Sequence, residues 1–258
     1  RARRAHRMSG LSHRIGRDRR APGKGPAVVT PASIFGAALA LWLEYLRGIV
    51  QGTPPAIATW QDQSGNVNDA SQGTVGNRAT ITATGVDFDA ASSQYMTIAD
   101  AATLDATTAL TVVIEMTPDV VTSTRAPISK GSSLGSVWST QTNSAAMRFH
   151  VGNPGLAFGE VAAVLAVGTR VVIVWVYDGT QATNATRLVC YVNGVAQTVS
   201  FSGTIPASIA VGTDIMSIGA YNNPTQFIDG RDRLLVLANT VATGAQVAAI
   251  TSYAQALP

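Results

Sequence analysis

Arg170–Tyr177 reads R-V-V-I-V-W-V-Y, and seven of its eight residues are β-branched or aromatic. Such side chains lose rotamer freedom on a helix and pack well on a pleated surface. Apolar residues fall on both alternating faces, so the stretch predicts a central strand covered from both sides. Asp178-Gly179 ends it. A strand of this kind requires further layers around it, which points to a layered β architecture.

The rest of the chain agrees. Leu110–Thr117 (L-T-V-V-I-E-M-T) is a second clear strand, stopped by Pro118. Shorter candidates are Arg78–Thr82, Gly85–Phe88, Tyr95–Ile98, Ala126–Lys130, Ser136–Thr140, Met147–Val151, Leu156–Glu160, Ile215–Gly219 and Arg233–Leu237. Gly, Asn and Pro separate them. Asn193-Gly194, between Leu188–Val192 and Val195–Phe201, fits a type I′ hairpin turn. After Thr243 the period changes. Val247, Ile250, Ala254 and Leu257 fall at helical spacing and predict one short C-terminal helix. About a dozen short strands with turn signals and one closing helix predict an all-β sandwich rather than βαβ units.

Near the N-terminus, Ile34–Leu43 reads as the entry strand of the domain. Its ten residues are too few to span a bilayer as a helix. Glu44, Tyr45 and Arg47 follow where a signal peptide would carry small residues at a cleavage site. No membrane insertion is expected.

Charge divides the chain. Residues 1–26 hold Arg1, Arg3, Arg4, Arg7, Arg14, Arg17, Arg19, Arg20 and Lys24 against Asp18, a balance of +8. The other residues hold nine basic groups against fourteen acids, a balance of −5. Residues 1–33 are rich in Arg, Gly, Pro and Ser, without apolar period, and read as a basic arm that docks onto an anionic partner. Arg suits that role because its guanidinium grips carboxylate and phosphate through two parallel hydrogen bonds. The expected domains are therefore the arm, 1–33, and the sandwich, 34–258. The single cysteine, Cys190, lies in an apolar run and reads as a buried, inert thiol.

Trp60–Ala70 reads W-Q-D-Q-S-G-N-V-N-D-A. It is too polar for a core strand, and its Asp, Asn, Ser and Gly content suits a long turn. The stretch resembles the W-x-D-x-S-G-N-x-N-x-A signature of concanavalin A-like lectin/glucanase domains, in their laminin-G-like branch. Further pieces follow in the order of that family: Gly85–Asp89 (G-V-D-F-D), Tyr95–Ile98, Leu110–Pro118, Ile128–Gly131 (I-S-K-G), Tyr177–Gly179 (Y-D-G), Tyr191–Gly194 (Y-V-N-G), Ile218-Gly219 and Asp229-Gly230. The resemblance covers roughly residues 34–258 and implies a jelly-roll-like sandwich of two antiparallel sheets. The entry segment and closing helix are similar to those of such domains in tailed-phage structural proteins.

The candidate chemistry is sparse. Glycoside hydrolysis needs two carboxylates across the scissile bond. The three glutamates, Glu44, Glu115 and Glu160, have no acidic neighbour two or three residues away, so no catalytic residue is expected. His6 and His13 lie in the arm, and His150 reads as an outward strand residue. No zinc spacing of Cys and His exists. Relatives in the family often hold Ca²⁺, and Asp62, Asn66 and Asp69 are hard oxygen donors in one loop. The competing expectation is that these side chains bond to their own backbone. No cofactor is assigned, with Ca²⁺ at this loop as the alternative. Trp138, Tyr221, Asn222 and Asn223 lie in or near predicted loops and form a candidate glycan-binding rim, whereas Trp42, Trp60 and Trp175 read as core.

These readings predict a non-enzymatic virion protein at the surface of a tailed-phage particle. It would be a capsid decoration or fibre module, docked to other virion proteins by its arm and contacting host-surface glycan through its rim. A homo-oligomer is compatible with that role. The alternatives are a lectin-like carbohydrate-binding module of a secreted or surface protein, and a coat protein whose arm binds nucleic acid.

Overall fold

The computed structural model describes residues 29–131, 137–152, 157–221 and 224–258. The expected arm residues, Arg1 to Lys24, lie outside the described residues, as do Asn222 and Asn223.

Two antiparallel sheets pack face to face. The first runs Val195–Ala196, Leu188–Val192, Val171–Asp178, Ala109–Pro118, Gly230–Ala238, Gly85–Phe88, Thr80–Thr82. Leu39–Glu44 also pairs with Gly230–Ala238. The second runs Ser200–Ser202, Phe158–Val161, Ala146–Val151, Trp138–Asn143, Ile128–Lys130, Met216–Ile218, Met96–Ile98, Ala70–Ser71, Ile57–Trp60, Ile49–Gln51. Val171–Asp178 sits between two partners and is buried on both faces, as its composition requires. At the Asn193-Gly194 turn both residues have positive φ, 50° and 81°, which the type I′ geometry demands.

Between the sheets lies one apolar core. Trp60, Trp138, Phe149 and Trp175 fill its centre, with Phe149 stacked on Trp138 at 5.8 Å. Cys190 belongs to this core, and burial pushes its thiol well above the usual range.

The outer face of the first sheet is covered by the C-terminal helix, Gly244–Ala256. Thr243 caps it in a reciprocal box with Gln246, which satisfies two otherwise orphaned backbone donors. Val247, Ile250, Thr251 and Ala254 face inward. Arg170 secures the far end. It pairs with Glu115 and donates to the Ala254 and Leu257 carbonyls at 2.5 and 3.0 Å. Trp42 lies under this helix, edge-on to Tyr253, rather than between the sheets.

The entry segment departs from the expected strand. Pro31–Phe35 forms a short helix, capped by Thr30, with Pro31 in its first turn. The strand starts at Leu39 and is buried on both faces. The expected arm boundary therefore cuts through an ordered helix.

Candidate functional site

Trp60–Ala70 is held by its own side chains. Asp62 Oδ1 accepts from the Trp42 and Ser64 amides at 2.9 and 2.8 Å. Its Oδ2 accepts from Ser64 Oγ and the Asn68 amide at 2.6 and 3.1 Å. Asp69 Oδ1 accepts from the Asp62 amide, and Asn66 and Asn68 donate to the Ala40 carbonyl. The loop is thereby stitched to the entry strand, and Trp60 Nε1 donates to the Glu44 carbonyl beneath it. The oxygens of Asp62 face donors, which is the geometry of a structural turn.

The chemistry of the molecule concentrates instead on the outer face of the second sheet. Residues directly opposite one another on paired strands share a face. Following the register strand by strand places Thr59, Ser71, Thr97, Ser217, Ser129, Ser139, His150, Phe158 and Ser202 in one transverse row. Seven of the nine carry hydroxyls. A parallel row beside it holds Gln141, Arg148, Glu160 and Ser200. Each flanking position, such as Trp60, Trp138 or Phe149, turns inward to the core.

The ends of the row are open: Ser71 and Ser202 are exposed, and Thr59, Thr97 and Phe158 half-buried. Its centre is covered. Ser129 Oγ donates to the Ala220 carbonyl at 3.3 Å, and Gln141 Nε2 donates to Tyr221 Oη and Gln226 Oε1 at 2.9 and 3.1 Å. Gln141 Oε1 lies 3.2 Å from His150 Nε2. Because that oxygen can only accept, Nε2 carries the imidazole proton and Nδ1 keeps its lone pair. His150 is 2% exposed, and neither its Nδ1 nor Ser217 Oγ has a hydrogen-bond partner among the described residues. Burial, helped by the nearby Arg148 charge, holds the imidazole down to about 4, so it is neutral at physiological pH. Burial likewise pushes the Tyr221 phenol up to about 12, against the opposing pull of Ser139 and Gln141.

Arg148 and Glu160 pair at 2.5 Å, and Asn143 donates to the same Glu160 oxygen at 3.1 Å. The Arg148 guanidinium lies 4.5 Å from the Phe158 ring centre. The charges on this face therefore cancel.

The expected glycan rim is corrected by this geometry. Trp138 is 1% exposed and points into the core, because it opens a strand in which Ser139 takes the outward position. Tyr221 does lie over the polar face, but it is buried and presents no ring to solvent. The hydroxyl row is not visible in the sequence, since seven separate strands contribute one unremarkable Ser or Thr each. His150 points outward from the core, as its strand position predicts, yet it is covered.

On the other side of the sandwich, a groove of about 560 Å³ runs between the C-terminal helix and the entry strand, lined by Leu46, Arg47, Tyr253 and Leu257. Its charged groups, Glu44 and Arg47, pair with each other at 2.9 Å.

Among solved structures, Trypanosoma rangeli sialidase in complex with the inhibitor DANA aligns over 87% of this chain and 33% of its own, with a TM-score of 0.56 and 15% identity. The binding domain of botulinum neurotoxin DC, solved in complex with rat synaptotagmin II, aligns over 85% of this chain and 52% of its own. Its TM-score is 0.54 and its identity 10%. The chain thus spans about a third of the first and half of the second, and at these identities the likeness is one of fold. No curated protein matches the chain. A laminin G-type family model, described as concanavalin A-like lectin/glucanases superfamily, covers residues 89–248, more than half of the chain. The chain belongs to the concanavalin A-like lectin/glucanases superfamily.

Proposed function

We propose that the protein is a non-enzymatic, glycan-binding structural module of a tailed-phage virion, a capsid decoration or fibre component. Residues 1–26 dock it on the particle, and the hydroxyl row of the second sheet meets host-surface glycan. The row is the observation that carries the binding part of this reading. Eight of nine adjacent strands offer donors or acceptors in register, with open ends and a covered centre that keeps unpartnered polar atoms. Sugar recognition rests on such convergent, fixed polar groups.

Two further features support the reading. Hydrolysis by the usual route needs two carboxyl groups flanking one bond, about 5–9.5 Å apart. Among the described residues in the two rows, the one carboxylate is Glu160, already engaged by Arg148 and Asn143. The charge division, +8 in residues 1–26 against −5 in the remainder, supports a docking segment separate from the binding body.

A glycan array probed with the full chain tests the binding part, and retention of no glycan refutes it. Particle assembly with a chain lacking residues 1–26 tests docking. Loss of incorporation by a still-folded body is expected, and normal incorporation refutes the docking role. Steeply salt-dependent nucleic-acid binding by residues 1–26 would instead favour a coat protein.

A further inference from the structure

We propose that the groove between the C-terminal helix and the entry strand seats Pro26–Val28 of the same chain, three residues that immediately precede the described ones. The groove then ties the root of the basic segment to the sandwich. The inference is independent of the glycan reading.

The lining of the groove calls for an apolar occupant. Val29, Leu46, Ala249, Ala256 and Leu257 line it together with the Tyr253 ring. Val29 and Leu46 are 51% and 57% exposed, so apolar surface faces water there. The charges beside it are already used. Glu44 pairs with Arg47 and accepts from Trp42 Nε1 and Tyr253 Oη. A charged ligand finds no unpaired partner among these groups, whereas small aliphatic side chains find surface to cover.

The course of the chain names the occupant. Thr30 and Ser33 close a reciprocal capping box, which fixes the backbone where it enters the short helix Pro31–Phe35. Gln246 Nε2 donates to the Ile34 carbonyl at 2.8 Å, which places that helix beside the first turn of the C-terminal helix. Val29 already stands in the groove with Ala249, about one turn further on. Followed backwards, the chain therefore heads toward Ala256. From Ala249 to Ala256 the helix rises about 10 Å. Three extended residues also span about 10 Å. Pro26, Ala27 and Val28 are small and apolar, and Pro26 has no backbone N–H to leave unpaired. Lys24 then falls at the C-terminal end of the helix. Arg170 reaches two carbonyls at that end, and the last turn holds no basic residue of its own. The carbonyl end of a helix attracts a cation.

The test is limited trypsin digestion of the full chain, with the fragments identified by mass spectrometry. Cleavage after Lys24 requires Pro26 and Ala27 to leave the groove and enter the protease. Cleavage after Arg20 does not, so it serves as an internal reference. Leu46→Asp puts a charge on the groove wall at an exposed position and leaves the cleaved sequence untouched. Val28→Asp puts a charge on the segment and leaves the body untouched. In each variant the Lys24 cut should accelerate about tenfold relative to the Arg20 cut, the worth of burying roughly one aliphatic side chain. An unchanged ratio in either folded variant overturns the inference. If melting shows Leu46→Asp unfolded, Val28→Asp decides. Protection of the Lys24 cut that rises with protein concentration places the segment in a second copy's groove, and overturns the same-chain seat.

Discussion

Asp232 should make the protein less stable as pH rises, the reverse of the usual behaviour of a carboxylate. Its side chain is 0% exposed, and neither oxygen has a hydrogen-bond partner among the described residues. It sits opposite Met116 and Val86, on a stretch where the strand bulges before Leu234. Burial, followed by the charge of Glu115, raises its carboxyl well above the usual range. The folded state thus holds a proton that the unfolded chain releases near pH 4. Between that pH and the raised folded value, the unfolded state binds fewer protons, so stability falls with rising pH. For one group the slope is about 1.4 kcal/mol per pH unit. In a chain of this size that corresponds to roughly 3–6 °C of melting temperature per unit. Asp232→Asn removes the titration and keeps the shape. Melting curves of both proteins from pH 4 to 7 should therefore diverge, the variant becoming the more stable toward neutrality. Parallel curves would refute the reasoning, because they would mean that the carboxyl ionises in the fold without penalty.

Two other substitutions test the frame. Asp62→Ala strands the Trp42 and Asn68 amides together, and should cost about 2–4 kcal/mol in urea unfolding. Because the native Asp62 oxygens already face donors, millimolar Ca²⁺ should leave the native melting temperature unchanged, and a rise would reopen a metal role for the loop. Arg170→Met leaves Glu115, whose carboxyl burial already raises, without its cation and frees two helix-end carbonyls. A loss of about 3–5 kcal/mol is expected, and adding Glu115→Leu should recover most of it.

What could be read from the chain alone divides along a physical line. Val171–Asp178, the Asn193-Gly194 turn and the C-terminal helix are encoded by neighbours a few positions apart, so composition and period disclose them. The Trp60–Ala70 loop is local in part: Asp62, Ser64 and Asp69 close turns within eight residues, whereas Asn66 and Asn68 reach the Ala40 carbonyl. The entry helix is hidden in the sequence because Ile34 and Phe35 look apolar enough for a strand, while Thr30-Pro31 supplies the helix start. Asp232 and the Glu115–Arg170 pair were illegible because their partners lie on other strands, or lie at no partner at all.

The outer face of the second sheet shows the same limit at its sharpest. Trp138 reads as a rim residue because the short strand Ser136–Thr140 lies among loop signals, and a one-position change in a strand reverses which side chain faces out. The register that sends Trp138 into the core is the register that sends Ser139 outward, between Ser129 and His150. The tryptophan and the hydroxyl row are therefore not independent findings. An inward Trp138, stacked on Phe149, fixes the sheet so that its other face must present the small polar residues. In this sheet the large aromatics fix the outer face from behind, and the residues they send outward are the small polar ones between them.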